Sequence, residues 1–169
     1  NANIIDFSDA KASLDPFKLF PGQKKQIRYM TMNLLTTLIG LNVTDRRGRL
    51  LGKIFKAFES EEITLTSLND LKNYLLSDNI EEDRRETARD IGETIELFSE
   101  VDFGRAFFDD TLPAADLSYD ATVFATHGMT LPTKEDLTSE ISQNQLSIDK
   151  RVGRAAYAYL AALGRRIGY

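Results

Sequence analysis

Apolar side chains return at helical spacing four times between Gly22 and Leu112, and this rhythm predicts most of the fold. Ile27, Met30, Leu34, Leu38 and Leu41 share one face of a helix over about 23–41. Leu51, Ile54, Phe55 and Phe58 do the same over about 45–59, where Thr44 is placed to cap the first turn. A shorter helix over about 67–76 is anchored by Leu68, Leu71 and Leu75, and a longer one over about 81–100 buries Ala88, Ile91, Ile95 and Phe98. The outer face of that last helix offers Glu81/Arg85 and Arg89/Glu93 as i,i+4 pairs. All four prolines fall outside this region, at 16, 21, 113 and 132, so nothing in it breaks a helix. The short connections favour antiparallel neighbours and a compact bundle.

The ends follow a different pattern. Residues 3–7 form a short apolar run of strand type, followed by a turn-rich stretch that ends at Asp15-Pro16. Residues 121–126, β-branched and aromatic and bounded by Asp120 and Gly128, read as a buried strand. Thr133 and Asp136 have capping-box spacing, and a final helix over about 148–167 stacks Ile148, Val152, Ala156, Tyr159 and Leu163. Two short strands so far apart do not easily make a stable sheet by themselves, so they read as members of a larger one. The expected fold class is mainly α: a helical bundle with two short strands near the ends. By residue, 1–2 read as a tag remnant, 3–21 and 113–169 as parts of a parent core, and 22–112 as the bundle.

Composition narrows the chemistry. The 169 residues include no cysteine, which removes disulfides, thiolate metal sites and cysteine nucleophiles. No apolar run approaches the roughly 18 residues of a membrane span, and no secretory leader is evident. The net charge of −5 is uneven. From Lys18 to Lys53 eight bases face the single acid Asp45, whereas from Glu59 to Asp110 sixteen acids face five bases. Such asymmetry marks a polar partner surface, or two surfaces that meet within the molecule.

Individual candidates are weaker. His127, the only histidine, has no acid or cysteine at ligand spacing and reads as a strand end. The acidic run Asp78, Glu81, Glu82, Asp83, Glu86 lacks the calcium-loop pattern and reads as a solvated helix start. Asp109-Asp110 reads as a turn. Gly48/Gly52 and Gly164/Gly168 have G-x-x-x-G spacing, which allows close helix packing or marks helix ends. No G-x-x-x-x-G-K-[ST] loop and no G-x-G-x-x-G step is present. The candidates for binding are therefore basic: Lys24, Lys25 and Arg28, with Arg46, Arg47 and Arg49. They suit a polyanion or a protein partner, in two patches if the first two helices run antiparallel.

The order of the end features resembles the central region of the cytoplasmic ATPases of conjugation and type IV secretion, P-loop motors related to the DNA-pumping translocases. The stretches that carry the resemblance are Asn3-Ile4-Ile5-Asp6-Phe7-Ser8 and Leu14-Asp15-Pro16-Phe17. They continue with Thr122-Val123-Phe124, Gly128-Met129-Thr130-Leu131-Pro132 and the helix of Ala155-Ala156-Tyr157. The resemblance implies that residues 22–112 are a helical insertion in an α/β nucleotide-binding core. It further implies a parent that hydrolyses ATP with magnesium, works as an oligomer at the inner face of a membrane, and contacts neighbouring subunits or other secretion components. Both nucleotide motifs would lie outside these residues, so no catalytic, cofactor-binding or metal-binding role is carried to any position here. The alternative from the residues alone is a free-standing helical module that binds protein or nucleic acid.

Overall fold

Three side chains fix where helices begin. The Asp15 carboxylate accepts from Phe17 N (2.9 Å), Asp45 from Gly48 N (2.8 Å) and Ser67 Oγ from Asp70 N (2.9 Å), each satisfying a backbone donor that the helix leaves free. They open α1 (Pro16–Leu19), α3 (Arg46–Glu59) and α4 (Leu68–Leu76). The cap of α3 is thus Asp45 rather than the expected Thr44, whose hydroxyl donates instead to the Asn42 side chain (2.8 Å). The remaining helices are α2 (Lys24–Leu38), α5 (Glu82–Ser99), α6 (Arg105–Phe108), α7 (Lys134–Thr138) and α8 (Ile148–Ile167), with a 3-10 turn at Asp102–Gly104. This computed structural model describes residues 2–138 and 145–167; Asn1, Gly168 and Tyr169 lie outside the described residues. At the start of α7 the Thr133–Asp136 capping box forms as its spacing predicts. Asp136 N donates to Thr133 Oγ1 (3.2 Å), and Thr133 N donates to the Asp136 carboxylate (2.7 Å).

The four apolar stripes read from the sequence are all buried, from Ile27 on α2 to Phe98 on α5. Phe55 sits edge-on to Phe58, which also meets Phe17, so α1 and α3 close over one aromatic cluster. α4 packs along α5, and α3 also lies against α5. The main partner of α2, however, is α8, the last described helix. Val152, Ala156, Tyr159 and Leu163 are buried there, whereas Ile148, expected in the same stripe, is half-exposed at the first residue of α8. Gly153 permits the close approach of α8 to the segment after β2, because a Cβ there would overlap the Thr130 carbonyl oxygen.

The strands β1 (Ala2–Asp6) and β2 (Ala121–Ala125) find each other. They pair in parallel, from Ala2 opposite Ala121 to Asp6 opposite Ala125, and Phe7 N extends the ladder to Ala125 O (3.1 Å). The two strands that read as members of a larger sheet are thus direct neighbours in this one. On the inward face Ile5 and Phe7 are buried, and the Phe7 ring lies 6.0 Å from Phe107 and 6.5 Å from Phe124. On the outward face Ile4 (70% exposed) stands directly opposite Val123 (52% exposed).

The charges on α5 also arrange differently from the expected i,i+4 pairs. Arg84 takes Glu81 (2.6 Å), while Arg85 and Arg89 both turn to Asp78 (3.9 Å each) in the loop before the helix. Asp78 precedes the first turn, so one carboxylate reaches two arginines a turn apart.

Candidate functional site

The six basic residues singled out by the sequence occupy two separate surfaces, and their surroundings differ. At the start of α2, Lys24 pairs with Glu61 (2.9 Å) and lies over the Phe58 ring, and Arg28 reaches Glu59 (3.4 Å). These two bind α2 to the end of α3. Lys25 is exposed and lines the groove along the outer face of α2 with Tyr29, Met32 and Thr36. On α3, Arg47 turns inward. Its guanidinium lies 3.6 Å from Asp45 and donates to the carbonyls of Ile39 (3.5 Å) and Gly40 (3.2 Å) at the end of α2. Cations are favoured at a helix C-terminus, where carbonyls lack partners. Arg151 does the same from α8, donating to Leu38 O (3.1 Å) while stacking over Phe98 at 5.0 Å.

Arg46 and Arg49 remain exposed on α3. Arg49 donates to the Thr44 carbonyl (2.5 Å), and among the described residues Arg46 makes no ion pair. Together with Lys53 from the next turn and with Asp83, Arg84 and Thr87 of α5 they line a cleft of about 260 Å³. Lys53 follows Arg46 on the same face of α3, whereas Arg84 did not stand out in the sequence because only the packing of α3 on α5 brings it to Arg46. Gly48 makes the turn beneath possible, since a Cβ there would overlap the Asn42 carbonyl; the companion Gly52 faces open space.

A second polar centre is internal, and sequence reasoning missed it. Asp15 is 1% exposed, and its two oxygens serve two helices: one caps α1, and the other accepts from Leu68 N (2.7 Å), the first residue of α4. Burial pushes its carboxyl up to about 7 despite these donors and the nearby Lys18. Lys18 itself is consumed by the backbone, donating to Asp110 O (2.9 Å) and Leu112 O (2.8 Å). Tyr159, fully buried on α8, donates its hydroxyl to Leu14 O (2.6 Å) and sets its ring edge-on to Phe107. The segment Ser13–Asp15 is thus held by α4 and α8, while Leu14 N donates to Ala106 O on α6. An Asp-Pro step is a readable cap signal, but the second donor to its carboxylate, Leu68 N, lies 53 residues away and is not.

The remaining candidates have local roles. Asp109 accepts from Thr111 and from Arg105 (2.8 Å), which together hold its carboxyl down at about 2, and the pair Asp109-Asp110 forms a turn as expected. Glu82 and Asp83 occupy the first turn of α5, where the helix dipole favours them. His127 is exposed just after β2. Among the described residues no three His, Asp or Glu side chains are grouped to hold a metal ion, and no helix is long and apolar enough to cross a membrane. A magnesium–nucleotide complex has neither a phosphate loop nor a carboxylate cluster to receive it among these residues, so no step is derived through one.

The sequence pattern of the AAA-like domain matches residues 1–166. The chain belongs to that family, which is associated with P-loop ATPases. No curated protein and no solved structure matches the chain.

Proposed function

We propose that this chain is the central segment of an ATP-driven motor for conjugative DNA transfer or type IV secretion. In this reading the helices between the two strands form an insertion that contacts neighbouring subunits or other secretion components. The parent binds ATP and magnesium through motifs on either side of residues 1–169 and works in the cytoplasm at the inner membrane face.

The observation that carries the reading is the sheet. Parallel sheets are normally covered on both faces and lie within a larger strand set. Here two parallel strands pair in register across 119 residues of sequence, with Ile4 and Val123 left side by side on the outer face. That arrangement fits two neighbouring strands of a nucleotide-binding core. Family membership and the short stretches around Asp15-Pro16 and Leu131-Pro132 support the same reading.

The gene on either side tests it. A phosphate-binding loop encoded before Asn3 and an acidic strand encoded after Tyr169 are expected. The extended protein should hydrolyse ATP and lose turnover when the lysine of that loop is replaced. An open reading frame without those motifs, or ATP turnover by residues 1–169 alone, would overturn the proposal.

A further inference from the structure

We infer that the cleft between α3 and α5 is a phosphate-binding site, built from Arg46, Arg49 and Lys53 on one wall and Arg84 on the other. The inference does not depend on the ATPase reading.

Three observations carry it. The first is an excess of positive charge, with four bases against the single acid Asp83 in the lining. Arg84 is held by Glu81 and by Asp83, whereas among the described residues Arg46 and Lys53 make no ion pair and Arg49 donates to a backbone carbonyl. This occurs in a chain whose acids outnumber its bases by 26 to 21, and where Lys24, Arg28, Arg85, Arg89 and Arg105 all find an acid. The second is placement. Arg46, Arg49 and Lys53 stand at i, i+3 and i+7, so neighbouring like charges face each other on one side of the helix, an arrangement that by itself destabilises it. An anion in the cleft reverses the sign of that interaction. The third is shape. The cleft of about 260 Å³ falls below the ~300–1,000 Å³ of sites that enclose a whole small molecule, and no aromatic side chain lines it. It can receive phosphate groups but offers no platform on which a base could stack.

Guanidinium forks match phosphate oxygens two at a time, and three of the four cations are arginine. The seven-residue step from Arg46 to Lys53 rises about 10 Å along the helix, about three charge repeats of one strand measured along a duplex axis. The ligand chemistry is therefore a run of phosphates, from either a phosphodiester backbone or a free polyphosphate.

Fluorescence anisotropy with a labelled 20-nucleotide single strand at 50 mM salt tests one source. Protection from thermal unfolding by inorganic tripolyphosphate tests the other. Binding of the strand is expected to weaken with salt at a log–log slope of about −2 to −3, as about three or four neutralised phosphates require. The triple variant Arg46→Ala/Arg49→Ala/Lys53→Ala should lose at least about tenfold in affinity and flatten that slope. A control with the same charge loss elsewhere, Lys11→Ala/Lys72→Ala/Arg165→Ala, should keep affinity within about threefold. Circular dichroism of each variant separates lost binding from lost fold; if the triple alanine unfolds, Arg46→Gln/Lys53→Gln replaces it. Tripolyphosphate alone binding in a triple-variant-sensitive way assigns the free phosphate, and strand binding alone assigns the backbone. Binding of neither probe, equal loss in the control, or stronger displacement by hexaglutamate than by tripolyphosphate would overturn the inference.

Discussion

The bundle of α2–α5 and the sheet of β1 and β2 solve the same burial problem with different success. In the bundle every apolar stripe is covered, and basic residues cap the end of α2. In the sheet only one face is covered, and Ile4 and Val123 meet solvent side by side. Helices satisfy their backbone internally and need a neighbour for one stripe only; a strand needs neighbours on two edges and two faces. The bundle is therefore the structural anchor of the chain, and the sheet is held mainly through what lies beneath it: Phe7, Phe107, Phe124 and Tyr159.

Substitutions should separate the two regions by magnitude. Phe55→Ala, at a fully buried ring within the bundle, is expected to cost about 3–5 kcal/mol and to lower the thermal midpoint of the whole chain. Asp15→Ala comes next, at about 2–4 kcal/mol in denaturant titration, because it removes a cap from α1 and leaves Leu68 N buried without an acceptor. Gly153→Ala should cost about 1–3 kcal/mol through overlap with Thr130 O, and amide exchange should rise first around β2 and α8. The smallest effect belongs to Ile4→Thr with Val123→Thr. This pair should shift stability by no more than about 0.5 kcal/mol each, since neither side chain is buried. A large loss there would mean that the outer sheet face contributes to the fold of the chain itself.

The pH dependence sharpens the same contrast. Between the ordinary carboxyl value of 3.8 and about 7, folded Asp15 holds a proton that the unfolded chain has released. Raising the pH through that window therefore favours unfolding, by an amount on the order of a few kcal/mol, and has no further effect above it. Asp15→Asn removes the titration. Stability of the wild type relative to Asp15→Asn should fall from pH 4 to 7 and then level off; a flat difference would show that the buried carboxyl is ionised throughout.

What the sequence made legible follows from the range of each interaction. Stripes at helical spacing and the Thr133–Asp136 box are local, and the helices appear within a few residues of their expected ends. Short apolar, β-branched and aromatic runs identified two strands but carry no information about the partner of Ile4. The same limit hid the docking of α8 on α2 and the second ligand of the Asp15 carboxylate. For the basic residues the sequence supplied clustering, whereas only packing distinguishes Arg47, folded onto α2, from Arg46, left in the cleft with Lys53 and Arg84.

The register of β1 on β2 has a kinetic consequence. Joining Asp6 to Ala125 before anything else has formed would close a loop of more than a hundred residues, at an entropic cost of about 4 kcal/mol plus a constant. Two five-residue strands recover little against that. Helix docking shortens the effective loop first, so the strands are expected to zip together late in folding, which hydrogen exchange of the β1 and β2 amides during refolding would show as late protection.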